Sequence, residues 1–240
     1  MKKIDNLENN KTDLLVSATK LAVGFIPIAG SLLSEFVVNI IPNQRIDRLS
    51  KFVKELEVRI SNLSTDKIKS LLNNDDFIDL IEEGFIQASR AITDKRREYI
   101  ASIVSNGITD ENIQLNESKQ LLKILTELND TEIIWLRYYL FPAIGGDDQF
   151  RKKHKNILQP IHNYIGADDE AMNKAAIQNS FKDHLERLKL IDHRIQIDNK
   201  SKMPEYDSVT GKPKILYSAI TPLGRLLLKQ IGIINDLNLR

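Results

Sequence analysis

Between Asp13 and Arg45 the chain carries only two charges, Lys20 and Glu35, so the stretch from Leu14 to Pro42 (LLVSATKLAVGFIPIAGSLLSEFVVNIIP) has to be buried somewhere. Its longest uncharged run, Leu21 to Ser34, is 14 residues, short of the about 20 that a membrane-spanning helix requires. Gly24, Pro27 and Gly30 interrupt that run. The pattern predicts two short apolar helices around a bend at Phe25 to Gly30, with Ser31 placed to cap the second and Pro42 to end it. Such a hairpin can be buried in the core of its own fold, in a partner, or in lipid. The residues that would enter lipid are Leu21, Val23, Phe25, Ile26, Ile28, Leu32, Leu33, Phe36 and Val37. Two charges near the middle of a span are costly in a resting bilayer, so insertion would be triggered and oligomeric rather than constitutive. The plainer alternative is a helix pair at the centre of the fold.

The absence of cysteine among 240 residues excludes disulfides and thiolate metal sites. Together with the lack of a charged, apolar, small-residue leader it leads us to expect a cytoplasmic protein that meets the inner membrane only when activated. Residues from Asp148 onward hold 16 Lys and Arg against 11 Asp and Glu, and the earlier residues 18 against 22. That asymmetry is weaker than the clustered basic charge of a dedicated nucleic-acid domain.

Beyond Pro42, Ile46, Leu49, Val53, Leu56, Ile60 and Leu63 recur at alternating spacings of three and four, an a/d seam that serves either a bundle face or a dimer zipper. Phe52 beside the seam widens it toward a bundle face. Three helices with readable ends follow. Asp75 and Asp76 open one that carries Phe77, Leu80, Ile81, Phe85, Ala88 and Ile92. Thr93 caps another, with Gly107 placed to end it in the left-handed conformation. Asn116 opens the third, through Leu121, Leu122, Leu125 and Leu128. Asn129 and Glu132 have the spacing of a capping box ahead of Ile133 to Leu140. A long helix from about Glu170 to Lys189, with Ile177, Phe181, Leu185 and Leu188 inward, then leads to two strand-like runs at Arg194 to Ile197 and Ile215 to Ile220. Thr221 and Pro222 open a final helix, and Gly232 ends it. The expected fold class is therefore mainly α: an N-terminal apolar helical hairpin with an amphipathic helix (1–63), a helical bundle (64–128), and a C-terminal winged-helix-like module with a small β-hairpin (129–240).

Signatures of catalysis are missing. The sequence contains no HExxH, GxSxG, P-loop or GxGxxG following a strand, and Glu82 and Glu83, being adjacent, point to different helix faces. His154, His162, His184 and His193 lie in one region but include no i, i+4 pair, and Gly145 to Asp148 lacks the Lys-Ser/Thr of a phosphate loop. We expect no enzyme activity, no catalytic residue, no metal and no cofactor. For nucleic acid the candidates are Lys174, Gln178, Asn179 and Lys182 on the long helix, and Lys200, Lys202, Lys212 and Lys214 in the wing. The acidic Asp168, Asp169, Glu170, Asp183 and Glu186 share that helix and oppose a polyanion, so DNA is an admissible but disfavoured partner.

The segment Asp76 to Tyr138, with FIDLIEEGFIQASRAITDKRREYIASIVSNGI and SKQLLKILTELNDTEIIWLRY, resembles the helical middle of Abi-alpha and related bacterial abortive-infection proteins. SFKDHLERLKLI and YSAITPLGRLLLKQIG resemble the winged-helix end that follows it in those proteins. The resemblance implies antiphage defence and transfers no catalytic signature. The apolar hairpin followed by an amphipathic helix is similar in architecture to membrane-disrupting domains of cell-death effectors. Two functions follow as expectations. The first is an oligomeric defence protein that senses or docks a protein trigger through the winged helix and perturbs the inner membrane with the hairpin. The second is a DNA-binding regulator dimerised through its helical region. Dye release from vesicles bears on the fate of the hairpin: leakage that Phe25→Asp abolishes places it in lipid, whereas no leakage together with a variant of lowered melting temperature favours a core hairpin over all but triggered insertion.

Overall fold

The computed structural model describes residues 43–64, 67, 70–71, 73–110, 113–142, 146–161, 168–208, 211 and 213–235, with side chains from Asp47 onward. The apolar segment Leu14 to Pro42, with every insertion candidate from Leu21 to Val37, lies outside the described residues, as do Lys212 and His162. The chain is mainly helical, with one small antiparallel hairpin near its C-terminus. It divides into two compact units, Met1–Thr126 and Glu127–Arg240.

In the first unit α1 (Asn43–Ile60) packs on α2 (Asp75–Arg90) and α3 (Asp94–Thr109). Leu49, Phe52, Leu56 and Ile60 recur on one face of α1 and are all buried. Phe52 meets Phe85 edge-on, with ring centroids 5.6 Å apart. From α2, Phe77, Leu80, Ile81, Phe85 and Ala88 enter the core as expected, but Ile92 lies past the helix end and is 82% exposed. The cap of α2 is Asn74 rather than either aspartate, its side chain accepting from Phe77 N at 3.2 Å. Asp75 and Asp76 instead fill the first turn, where their charge suits the helix dipole. Helix α4 (Leu115–Glu127) buries Leu121, Leu122, Ile124 and Leu125, and Gln87 of α2 donates to Leu122 O at 3.0 Å.

Gly107 corrects the sequence reading. It does not end α3 but lies inside it, because α4 crosses closely at that point. A Cβ there would sit 2.6 Å from Ser118 Oγ and 2.9 Å from Leu80 Cδ2. The glycine thus serves close approach, not chain reversal.

The second unit starts with α5 (Asp130–Tyr138), opened by the capping box of Asn129 and Glu132. Two short helices, α6 (Asp148–Lys153) and α7 (Lys155–Leu158), precede α8 (Asp169–Arg187). Asp168 caps α8 by accepting from Ala171 N at 2.7 Å. Strands β1 (Ile191–Ile195) and β2 (Ile215–Ile220) pair antiparallel with Ile191 opposite Ile220 and His193 opposite Ser218. The register shifts between Arg194 and Ile195, so Ile195 faces Ile215 and Leu216 is the extra residue. Thr221 caps α9 (Pro222–Gln230) by accepting from Gly224 N at 3.0 Å and donates to Lys189 O at 2.7 Å. Gly232, at φ +75°, closes α9 with a bond from Ile233 N to Leu228 O. Lys189 does the same for α8 at φ +58°, with Leu190 N donating to Leu185 O.

Replacing Gly107 by alanine trades a helix-propensity gain of about 1 kcal/mol against overpacking of about 1 to 3 kcal/mol. We expect Gly107→Ala to destabilise the first unit, by about 1 kcal/mol on balance, in urea denaturation.

Candidate functional site

Helix α8 carries half of the nucleic-acid candidates, and it is turned differently from what its apolar pattern suggested. Ala175, Gln178 and Leu185 are buried, while Ile177 is 57% exposed and Phe181 only half-buried. Gln178, expected on an outward reading face, is therefore interior. Its Nε2 donates to Gln159 O at 3.0 Å, and its Oε1 accepts from Ile161 N at 3.1 Å. These bonds satisfy backbone groups in the segment before α8, which is why a polar side chain is tolerated inside and an isoleucine is left outside.

Lys182 follows Gln178 by one turn and is carried inward with it. Its ammonium lies 4.9 Å from the centroid of the Trp135 ring, and burial lowers its pKa against a weaker opposing influence of Asp183. The remaining nucleic-acid candidates are spread out rather than gathered. Lys174 faces outward and is paired with Glu170 one turn earlier. Lys214 pairs with Glu205 at 3.3 Å, and Asn179, Lys200 and Lys202 are exposed. Of the seam on α1, Leu49, Leu56 and Ile60 are buried in the first unit, and Val53 and Leu63 are half-buried. The Ile46 side chain lies outside the description.

What sequence reasoning missed is a pocket. The end of α5, the middle of α8 and β2 bring Trp135, Tyr138, Tyr139, Lys182, Tyr217 and Ser218 around a space of about 490 Å³, with Leu158 and two prolines completing its wall. Trp135 packs edge-on against Tyr138 at 5.6 Å, and Tyr138 against Tyr139 at 5.4 Å. The only hint in the sequence is the density of large rings in Trp135 to Tyr139, which also reads as ordinary core.

A line of hydrogen-bonding groups runs behind one wall. His193 Nε2 lies 3.4 Å from Glu186 Oε2, and its Nδ1 is 2.7 Å from Ser218 Oγ. The Ser218 hydroxyl also bonds Tyr139. Carboxylate, imidazole and hydroxyl in that order match the parts of a nucleophilic triad. Here, however, Ser218 sits opposite His193 in the strand ladder, and its hydroxyl is shared with a buried phenol. Together they clamp the hairpin to α5 and α8. A second imidazole, His184, donates from Nδ1 to Glu132 Oε1 at 2.6 Å. Among the described residues no group of His, Cys, Asp and Glu is arranged to hold a metal ion, and no helix is long and apolar enough to cross a membrane.

No protein-family model, curated protein or solved structure matches the chain.

Burial pushes the Tyr139 phenol up to about 12, with Tyr138 adding to the rise and the Ser218 bond opposing it. Because the folded pKa exceeds the unfolded value, the contribution of Tyr139 to stability is complete below pH about 10 and is lost as pH rises through the folded value. Between pH about 9 and about 11 the wild type should lose about 1 kcal/mol more than Tyr139→Phe in urea denaturation. Parallel curves for the two proteins would show that this phenol ionises as it does in the unfolded chain.

Proposed function

We propose that this chain is a non-enzymatic defence protein of the abortive-infection type, in which the C-terminal unit docks a protein trigger and the N-terminal apolar hairpin acts on the inner membrane in an oligomer. The observation that carries the docking role is the contrast between α8 and the β-hairpin. The order α5, α6 with α7, α8, β1 with β2, and α9 follows that of a winged helix, whose third helix and wing are the presenting elements. On α8, Gln178 is bonded inward, Lys182 lies over Trp135, and Lys174 is neutralised by Glu170. Asp169 and Asp183 remain exposed on the same helix and repel a polyanion.

The hairpin offers the opposite character. Ile195, Ile197, Met203, Tyr206, Ile215 and Leu216 are exposed on it, and Ile195 and Ile215 are cross-strand partners. Apolar side chains gathered on one small element mark a protein contact surface. Lys200 and Lys202 lie in the turn of the same element and suit a partner whose apolar patch has an acidic rim. The defence setting rests on the likeness of Asp76 to Tyr138 and of the C-terminal helix and strand segments to Abi-alpha proteins, and the membrane role on the charge-poor stretch Leu14 to Pro42. Among the described candidates, a DNA-binding regulator is left with Asn179, Lys200 and Lys202 as reading and phosphate groups.

The test is phage plating on bacteria that express the wild type, Leu216→Asp or Phe25→Asp, beside duplex retardation with the purified proteins. Leu216 is 61% exposed, so its replacement leaves the fold intact. Docking through the hairpin predicts protection by the wild type, its loss in Leu216→Asp, and no retained duplex at about 50 mM salt. Unprotected wild-type cells together with a duplex complex lost in Lys200→Glu/Lys202→Glu would establish the regulator instead.

A further inference from the structure

The pocket beside Trp135 has an unmet requirement that the docking role does not use. Four aromatic side chains, Trp135, Tyr138, Tyr139 and Tyr217, line it, and among the described residues no acidic one does. An aromatic enclosure without a cation is suited to binding one. Here that place is already taken, since the Lys182 ammonium stands 4.9 Å from the indole centroid. A second cation would be repelled.

Lys182 itself is under-served. An ammonium has three donors, yet no carboxylate among the described residues pairs with this one, although Lys51, Lys95, Lys119, Lys174 and Lys214 all have such partners. Its burial penalises the charged form, and the charge of the neighbouring Asp183 offsets that only in part. The Trp135 Nε1 donor is also buried without an acceptor. On the acceptor side the pocket offers little, because Ser218 Oγ is occupied by His193 and Tyr139. Among its described lining residues the site therefore has a cation without a carboxylate partner and ring surface in excess. At about 490 Å³ it has room for two fused rings.

The geometry points to this pocket as a binding site for a small planar aromatic anion, with its rings against Trp135, Tyr138 and Tyr217 and its acidic group paired with Lys182. The anion would supply the partner that the ammonium lacks, in surroundings where a charge-assisted hydrogen bond is strong. A neutral ring of the same shape would gain the stacking alone.

Trp135 is the only tryptophan of the chain, so its emission reports on this pocket and nothing else. The full-length protein is titrated with naphthoate and with its neutral isostere naphthamide, followed by calorimetry and by Trp135 emission, in the wild type, Lys182→Gln and Lys182→Arg. We expect saturable naphthoate binding about tenfold tighter than that of naphthamide, equal affinities in Lys182→Gln, and a preserved preference in Lys182→Arg. The preference in the wild type should also shrink as salt is raised, a measurement that needs no variant to fold. Equal affinities for the two probes in the wild type would overturn the assignment. So would the absence of any saturable response to naphthoate, or a preference that survives in a folded Lys182→Gln protein.

Discussion

The carboxylate of Glu132 ties α5 to α8 in the second unit. It is 3% exposed, and its two oxygens serve different elements. Oε2 accepts from Asn129 N at 2.8 Å and closes the capping box, while Oε1 accepts from His184 Nδ1 at 2.6 Å. The first bond fixes where α5 begins, and the second fixes the register of α8 against it. Trp135 is three residues beyond Glu132, and Lys182 is two residues before His184, so the same pair determines that the ammonium meets the indole face. A buried carboxylate with both oxygens engaged is tolerated in an apolar setting where an unpaired one would not be. The pocket is a by-product of that registry.

Local chemistry in the second unit was legible from residues alone. The capping box at Asn129 and Glu132, the strand Ile215 to Ile220, the Thr221 cap with Pro222, and the reversal at Gly232 all appear where their short-range patterns place them. The caps and the reversal are decided by neighbours a few residues away, and the strand by its run of β-branched and aromatic residues, which a sequence displays directly. The rotation of α8 was not legible. Ile177, Phe181, Leu185 and Leu188 make an acceptable apolar stripe, and only the backbone groups at Gln159 and Ile161 reveal that Gln178 has partners inside. A buried glutamine is identified by what it bonds, and its partners lie nearly twenty residues away in the chain.

Gly107 teaches the same lesson in the first unit. A glycine followed by isoleucine near the end of a helical pattern satisfies the sequence rule for chain reversal, yet it equally satisfies the requirement for a close helix crossing. Ser118 and Leu80 decide between them, and neither is local. The seam on α1 is ambiguous in a related way. Spacing establishes that Leu49, Leu56 and Ile60 are buried but not by what, and Phe52 within the same face meets Phe85 of its own chain. The candidate pocket was hidden for both reasons at once, because it needs the rotation of α8 and the hairpin register that sets Ser218 opposite His193.

The position of Lys182 also bears on how the two proposed surfaces relate. A lysine whose ammonium lies over an indole and lines a pocket is turned away from any groove that α8 could enter, so the proposed ligand binding and DNA reading would compete for one side chain. Protein docking has no such conflict. Strand β2 contributes Tyr217 and Ser218 to the pocket, while the next residue back, Leu216, is the extra one at the register shift and stands exposed on the hairpin. An occupant pressed against Tyr217 would therefore act on the strand that also carries the exposed Ile215 and Leu216. Coupling between two sites requires that a ligand distinguish two states of something they share, and in this unit the shared element is β2.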